Sequence, residues 1–314
     1  MSVQHSEGRN IPVLFLIFNR PDTTAQVWNV LRQIRPRKLY IAADGPRPHK
    51  NNEAEKVAQV RKITQPDWEC EVTYWFQETN LGCRNHVSQA ITKFFEYEEC
   101  GIILEDDCLP VLSFFPFCER LLIHYKDDTR IMHISGDNFQ HGVQRGNASY
   151  YFSRFNHIWG WATWRRAWKL YNVNMPDFPE FCYQNSLKNI FSNPMIRLAW
   201  YQNFYDVYSG KDTWDFQWTY TIWKNNGLAI LPQNNLITNI GFGAEATHTH
   251  IKVDSISELQ RQEIDIEKLT HPTWIMPNID ADDYTFNQAF KRGLIIRLKF
   301  RLKLLLGNEI PAFQ

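Results

Sequence analysis

The stretch Gly-Ile-Ile-Leu-Glu-Asp-Asp-Cys-Leu-Pro, residues 101–110, places three adjacent carboxylates directly after a short apolar run. The run at 102–104 is typical of a buried strand, which ends where Glu105, Asp106 and Asp107 follow. Because adjacent carboxylates repel one another and are costly to desolvate, a divalent cation that carries phosphate oxygens would stabilise them. An acidic turn in which Asp106 or Asp107 caps the next helix explains the same residues. The spacing alone leaves both interpretations open.

The composition is that of a globular protein. The chain has 314 residues, of which 44% are hydrophobic and 22% are charged. Its formal net charge is zero, which gives no general attraction to nucleic acid. The N-terminal residues lack the apolar segment of a signal peptide, and no apolar stretch is long enough to span a membrane. None of the six cysteines forms a C-x-x-C pair, so we expect reduced thiols, no structural zinc site and a cytoplasmic protein.

Strands and helices are predicted to alternate along the first half of the chain. Apolar runs that predict strands recur at 13–18, 39–43, 71–76 and 102–104, with helical periodicity between them. This order is typical of an α/β protein in which helices cover both faces of a parallel sheet. We expect one more strand at 131–135.

Polar residues follow three of these predicted strands. Arg20 follows the first strand, Asp44 follows the second, and the three acids follow the fourth. In open α/β sheets ligands bind outside the carboxyl ends of the strands. The sequence contains neither G-x-G-x-x-G nor a P-loop motif. We therefore predict a ligand site at this edge that is neither a dinucleotide site nor a P-loop.

The second half of the chain is rich in aromatic residues. A glycine between Trp159 and Trp161 permits a turn that exposes both indole rings, although a helix start with Trp161, Trp164 and Trp168 packed inward explains the pattern equally well. Asp215 stands among aromatic residues, where a desolvated carboxylate is suited to general-base catalysis. A cap for a helix at 218–224 is the competing explanation.

Two segments near the C-terminus have unusual composition. Residues 239–250, NIGFGAEATHTH, are typical of a loop, and His248 and His250 are ligand types suited to metal or phosphate. The tail at 286–314 mixes basic with apolar residues. Contact of 286–306 with an anionic membrane would explain that mixture, as would a helix packed on the domain or a contact between subunits.

Taken in order, the motifs Phe-Asn-Arg-Pro, Ala-Asp-Gly, Asn-Leu-Gly, Glu-Asp-Asp, Trp-Gly-Trp and Trp-Asp-x-x-Trp resemble those of a GT-A fold nucleotide-sugar glycosyltransferase. The resemblance is to the N-acetylglucosaminyltransferase I type and to bacterial relatives from polysaccharide gene clusters. Its most specific stretch is 103–115. It implies a mostly parallel central sheet flanked by helices, in one domain at 10–285. Residues 10–135 would be the nucleotide-binding half and residues 136–285 the acceptor half.

The resemblance also implies roles for individual residues on the donor side. Arg20 would contact the nucleotide phosphates or base, Asp44 would hold the uracil, and Arg84 would make another base contact. Glu105 would contact the donor sugar and Asp106 the ribose. These roles imply a nucleotide-diphosphate sugar, with UDP as the nucleotide.

On the metal and acceptor side, Asp107 would bind Mn²⁺ or Mg²⁺, and His248, or the second histidine of its pair, would complete the metal shell. Asp215 matches the catalytic base, and Trp159 and Trp161 would contact a glycan or lipid-linked acceptor. The implied function is metal-dependent, inverting glycosyl transfer, in the cytoplasm or at the inner face of the membrane.

Two other functions fit the same residues. A metal-dependent nucleotidyltransferase or phosphohydrolase would use the same acidic strand end and would need no sugar acceptor. A non-catalytic sugar-binding protein would use the tryptophans alone, and its glycan binding would depend on neither nucleotide nor metal.

Overall fold

The structure is a computed structural model that describes residues 8–242 and 259–290. His248, His250 and residues 291–314 lie outside the described residues, so the metal contact of the histidines and nearly all of the basic tail stay predictions. None of the described helices is both long enough and apolar enough to cross a membrane. All six cysteines lie within the described residues and none forms a disulfide.

The described residues form ten strands, nine α-helices and three shorter turns of helix. The strands are β1 (Val13–Ile17), β2 (Lys38–Ala43), β3 (Glu71–Phe76), β4 (Cys100–Glu105), β5 (Cys108–Pro110), β6 (Ile131–Ser135), β7 (Tyr150–Ser153), β8 (Trp161–Trp164), β9 (Leu228–Pro232) and β10 (Ile237–Asn239). The helices are α1 (Pro21–Ile34), α2 (Glu53–Ile63), α3 (Gly82–Tyr97), α4 (Phe114–His124), α5 (Arg165–Trp168), α6 (Phe178–Tyr183), α7 (Pro194–Tyr208), α8 (Asp215–Lys224) and α9 (Ile279–Thr285). The shorter turns are 3₁₀ turns at Ser186–Asn189 and Ile266–Lys268 and a π turn at Phe286–Phe290.

Eight strands form one central sheet in the order β3-β2-β1-β4-β8-β6-β9-β7, and β5 pairs with β10 in a small antiparallel sheet. The predicted parallel arrangement holds across β3, β2, β1 and β4. Beyond β4 the pairing changes, because β8 lies antiparallel between β4 and β6, and β7 lies antiparallel to β9. Of the seven pairings that the described residues make in this sheet, four are parallel and three antiparallel. The architecture is therefore mixed α/β.

Helices cover both faces of the sheet, as the alternation of apolar side chains in β1 shows. All five residues of β1 are buried. Leu14 and Leu16 pack into a core with α3, α7 and α8, whereas Phe15 and its alternate neighbours pack into a second core with α1 and α4. Pro21 stands in the first turn of α1, where its fixed φ suits the helix and its missing N–H costs no hydrogen bond.

Trp161 lies inside this core, which corrects its prediction as an acceptor contact. The turn that the glycine permits does form, since Gly160 has a φ of +69°. However, β8 begins at Trp161 and lies in the middle of the sheet, so the indole has no solvent exposure. Its ring stacks on His133 and Trp214, with centroids 5.0 and 5.6 Å away. Trp161 is a core residue that no ligand can reach.

Candidate functional site

A cleft of about 460 Å³ opens at the carboxyl ends of β1, β2 and β4. Its polar wall combines the predicted strand-end residues with residues from the N-terminus of α3 and the segment before α8, namely Arg20, Asp44, Asn80, Glu105, Asp106, Asp107, Lys211, Asp212 and Asp215. The parallel strands therefore bring Arg20, Asp44 and the three acids to one place, as the strand-end rule predicts.

Arg20 forms ion pairs with two of the three acids. Its Nη2 donates to Asp106 Oδ1 over 2.5 Å, and its Nη1 donates to Asp107 Oδ2 over 2.7 Å. The second oxygen of Asp106 accepts from the backbone N–H of Phe18 over 3.0 Å. Burial alone would lower the pKa of Arg20, but Asp106 and Asp107 raise it above its ordinary value. Arg20 therefore carries a fixed positive charge at the floor of the cleft.

One guanidinium does not balance three adjacent carboxylates. Burial, with a further contribution from Asp107, raises the pKa of Glu105 to about 8, although Arg20 opposes the shift. Burial also raises the pKa of Asp106, against the effect of Arg20. Both shifts have the direction expected where positive charge is deficient. This part of the cleft is suited to a cation.

A divalent cation at this place would need oxygens from a ligand as well as from the protein. Asp107 Oδ1 has one contact among the described residues, a weak hydrogen bond from the Cys108 thiol at 3.5 Å. No group of three His, Cys, Asp or Glu side chains within 8–242 and 259–290 could hold a metal by itself. Asp107 therefore fits a site in which phosphate oxygens and water supply most of the ligands.

The acids do not cap the next helix, which excludes the other interpretation of the triplet. The residues after Asp107 form β5, and α4 begins only at Phe114.

Asp44 binds the turn that leads into α3. Its two carboxylate oxygens accept from the backbone N–H groups of Gly45, Leu81 and Gly82 and from the side-chain amide of Asn80, over 2.8 to 3.1 Å. Gly82 has a φ of +80°, a conformation that favours glycine at the start of this helix. Asp44 thus lines the cleft while holding the N-terminus of α3, and its contact with uracil stays a prediction.

Arg84 does not bring its guanidinium into the cleft. Its Nη2 donates to the Val173 carbonyl over 2.8 Å and to the side chain of Asn174 over 3.2 Å. Its backbone N–H donates to Asp212 over 2.8 Å, and that of Cys83 donates to the same carboxylate over 3.3 Å. Asp212 therefore joins the segment before α8 to α3, a role that no local pattern in the sequence reveals.

Asp215 is the first residue of α8 and lines the same cleft as the strand-end acids. It is not a helix cap, because α8 begins at Asp215 itself and its carboxylate accepts a hydrogen bond from the Thr213 hydroxyl. Burial and the charge of Asp107 are the main causes that raise the pKa of Glu105, and Asp215 makes a smaller contribution in the same direction. The carboxylates of Asp215 and Glu105 are therefore close enough to interact. The cleft thus brings together acids that lie more than a hundred residues apart in the chain.

A second cavity, of about 210 Å³, adjoins the cleft. Ile158, Trp159, Asp215 and Phe216 line both spaces. Trp159 therefore lines both spaces, as Asp215 does, and its contact with an acceptor stays a prediction. Polar residues also line the second cavity, Asp137 and Asn156 among them, and they belong to no motif from which the sequence predicts a site.

No protein-family model matches the chain, and no curated protein matches its sequence. Among solved structures, the chain is similar to a mannosyltransferase from Pyrobaculum calidifontis in complex with GDP-Man and Mn²⁺, with 12% identity and a TM-score of 0.45 over 98% of this chain and 79% of that one. It is similar to the UTP-bound UGPase from Acinetobacter baumannii, with 7% identity and a TM-score of 0.31 over 71% of this chain and 85% of that one. It is also similar to apo mouse xyloside xylosyltransferase 1, with 11% identity and a TM-score of 0.34 over 84% of this chain and 98% of that one. Likenesses this weak assign no family, so the function has to be inferred from the geometry of the site itself.

Proposed function

We propose that this protein is a metal-dependent, inverting glycosyltransferase that moves a sugar from a nucleotide-diphosphate donor, with UDP as the nucleotide, to a hydroxyl group of a glycan or lipid-linked acceptor. The observation that carries the proposal is that the carboxylate of Asp215 and the strand-end acids line one cleft. Such a transfer requires a group of acids that can hold a cation and, in the same cleft, a separate carboxylate that can act as a base.

On the donor side, Asp107 would hold Mn²⁺ or Mg²⁺, which neutralises the leaving diphosphate when bound. Arg20 supplies positive charge to the same phosphates, because its guanidinium already lies beside Asp107. Asp106 would accept hydrogen bonds from the ribose, and Glu105 would contact the donor sugar. His248 would add a metal contact, and Arg84 would reach the base only if its side chain left its present partners.

On the acceptor side, Asp215 would act as the general base. An acceptor hydroxyl attacks C1 of the sugar from the face opposite the diphosphate, its proton passes to Asp215, and the bond from C1 to the diphosphate breaks. Direct displacement inverts the configuration at C1. The hydroxyl of Thr213 holds the carboxylate in place while it accepts the proton.

The division into halves follows the same roles, with 10–135 binding the nucleotide and 136–285 binding the acceptor. The basic residues of 286–306 would place the enzyme at the inner face of a membrane if the acceptor is lipid-linked.

The first experiment tests donor and metal together. Thermal shift with a panel of nucleotide sugars, with and without Mn²⁺, should show stabilisation by one donor that depends on the metal. Calorimetric titration with UDP and Mn²⁺ should then show that Asp107→Ala loses the metal-dependent part of the affinity. Asp67→Ala, which alters an exposed acid paired with Arg32, is the matched control and should bind as the wild type does.

Two results would contradict the proposal. Unchanged UDP affinity in Asp107→Ala would remove Asp107 from the metal site. Release of pyrophosphate from a nucleoside triphosphate without a sugar acceptor would favour the nucleotidyltransferase instead.

A further inference from the structure

The cavity beside Asp215 has a wall made almost entirely of aromatic rings. Trp159 lies between Phe139 and Phe242, with ring centroids 5.2 and 5.6 Å away. On the other side, Trp200 lies against Phe216 and Phe290, with centroids 5.8 and 5.0 Å away. We call the space enclosed by these six side chains the aromatic pocket. Flat aromatic faces around a space of this size suit a ligand that has apolar faces of its own.

The floor of the aromatic pocket is polar, and several of its side-chain atoms have no hydrogen-bond partner among the described residues. Asn156 accepts from the Thr219 hydroxyl over 2.8 Å through Oδ1, which leaves its Nδ2 without a hydrogen-bond partner among the described residues. His157 Nε2 also has no such partner, and neither oxygen of Asp137 has one of standard geometry, although the backbone N–H groups of Asp137 and Trp159 lie near enough to oppose the rise of its pKa. All three side chains are more than nine-tenths buried. Buried polar groups are rarely left unpaired in native proteins, so three that line one cavity indicate a ligand that completes their hydrogen bonds.

The orientation of the floor is fixed by the sheet. The backbone N–H of His157 donates to the Ser135 hydroxyl over 3.1 Å, and its carbonyl accepts from the ring of His133 at 2.7 Å. These contacts hold the segment at 156–157 against β6, whose end also carries Asp137. The unpaired groups are therefore held in place before any ligand binds, which reduces the entropy cost of binding.

The described lining of the aromatic pocket also carries no positive charge. No lysine or arginine among the described residues lines it. Burial lowers the pKa of His157 to about 3 and raises that of Asp137 well above its ordinary value, so burial disfavours the charged form of both groups. A phosphate or carboxylate in this space would have no counter-ion, whereas hydroxyl groups can donate to and accept from all three side chains.

We propose that the aromatic pocket binds the pyranose ring of an uncharged saccharide, with its hydroxyl groups hydrogen-bonded to Asn156, His157 and Asp137 and its faces against the aromatic walls. That this sugar is the acceptor rests on the proposed glycosyl transfer, since Asp215 lines both the pocket and the cleft. The sugar that receives the transferred residue would then be neutral, and would be neither a uronic acid nor a sugar phosphate.

The test measures sugar binding and nucleotide binding separately on the full chain. The probes are the methyl glycosides of glucose, galactose, mannose and xylose, with methyl glucuronide as the anionic counterpart, followed by saturation-transfer NMR. At least one neutral glycoside should bind better than the glucuronide. Asn156→Ala and Phe242→Ala should each weaken that binding by roughly tenfold or more. Trp274→Ala, at an exposed tryptophan that lines neither cavity, should leave it unchanged.

Calorimetry with UDP and Mn²⁺ on the same variants separates the two proposals. Phe242 lines the aromatic pocket but not the cleft. If near-ultraviolet circular dichroism shows that Asn156→Ala does not fold, the Phe242→Ala variant alone decides whether the pocket binds the glycoside. The pocket assignment is overturned if no neutral glycoside binds, if the glucuronide binds better, or if binding survives both substitutions. Glycoside binding that depends on the pocket in a protein that binds no nucleotide would support a saccharide site and overturn the glycosyl transfer.

Discussion

Arg20 and Asp107 form an ion pair of 2.7 Å at the floor of the cleft, and the same guanidinium also contacts Asp106. The Arg20 side chain is 17% exposed and that of Asp106 is 2% exposed, so these charges interact in a largely desolvated environment. The one arginine therefore has a structural role before any ligand arrives, because it makes an otherwise repulsive cluster of acids compatible with folding.

Arg20→Ala should lower the free energy of unfolding by about 3 kcal/mol, since removing one partner leaves buried carboxylates unpaired. Urea denaturation at pH 7 measures the loss. Arg32→Ala is the matched control, because Arg32 pairs with Asp67 where both side chains are about half exposed. Solvent screens that pair, so its loss should change stability little. Equal losses in the two variants would show that the Arg20 pairs contribute no more than a surface pair does.

Asp215→Asn should lower kcat by about 10²–10⁴-fold while UDP and Mn²⁺ bind with unchanged affinity, because general-base catalysis is lost and the donor side is intact. Single-turnover kinetics with the donor found by thermal shift measures the first quantity and calorimetry the second. Thr213→Val removes the hydroxyl that donates to Asp215 and should lower kcat by about tenfold with little change in KM. Normal turnover in Asp215→Asn would remove this carboxylate from the mechanism.

Gly241→Ala should weaken binding of UDP with Mn²⁺. A Cβ at this position would overlap both the carboxylate of Asp107 and the guanidinium of Arg20, so the ion pair would have to move. Displacing packed groups typically costs about 1–3 kcal/mol, which corresponds to a rise in Kd of roughly 5- to 150-fold. Calorimetry measures the change, and thermal unfolding shows whether the fold is preserved. Binding identical to that of the wild type would show that the arrangement of the pair does not matter for the donor.

The residues at the strand ends could be predicted from the sequence because their cause is local. An apolar run that ends in a charged residue predicts both a strand and its end, and parallel strands bring such ends together. Arg20, Asp44 and the acids at 105–107 were found in this way, and all of them line the cleft. What each does there depends on contacts across the fold, so the use of Asp44 to hold the turn before α3 could not be predicted.

The incorrect prediction for Trp161, in the second half of the chain, has one physical origin, which is the change of strand direction after β4. Nothing in the sequence shows that β8 enters the sheet antiparallel between β4 and β6, and that position is what buries Trp161. The same rearrangement places Asp137, Asn156 and His157 around one cavity. Asp137 lies about twenty residues from Asn156 and His157 in the sequence and no periodic pattern links them, so only the fold reveals that they line one cavity.

Asp282 should make the stability of the protein depend on pH. Its carboxylate is buried beneath β7, where it accepts from the Ser153 hydroxyl over 2.5 Å and from the backbone N–H of Arg154 over 3.3 Å. Burial raises its pKa to about 7 despite these contacts, whereas the ordinary value is 3.8. Between pH 4 and 7 the folded state therefore holds a proton that the unfolded state releases. The contribution of Asp282 to stability is full below pH 4 and is lost as the pH rises through 7.

Asp282→Asn removes this titration, so the variant should gain about 2 kcal/mol relative to the wild type between pH 5 and pH 8, as measured by urea denaturation. The difference between the two proteins is the quantity to follow, because burial lowers the pKa of His133 and of His157 to about 3 and gives the opposite pH dependence in both. Asp280→Asn changes an exposed acid of the same helix that does not contribute to the shifted pKa of Asp282, and it should show the pH profile of the wild type. If the free energies of unfolding of the wild type and of Asp282→Asn differ by the same amount at every pH, the carboxyl of Asp282 has the same pKa in the folded and unfolded chains.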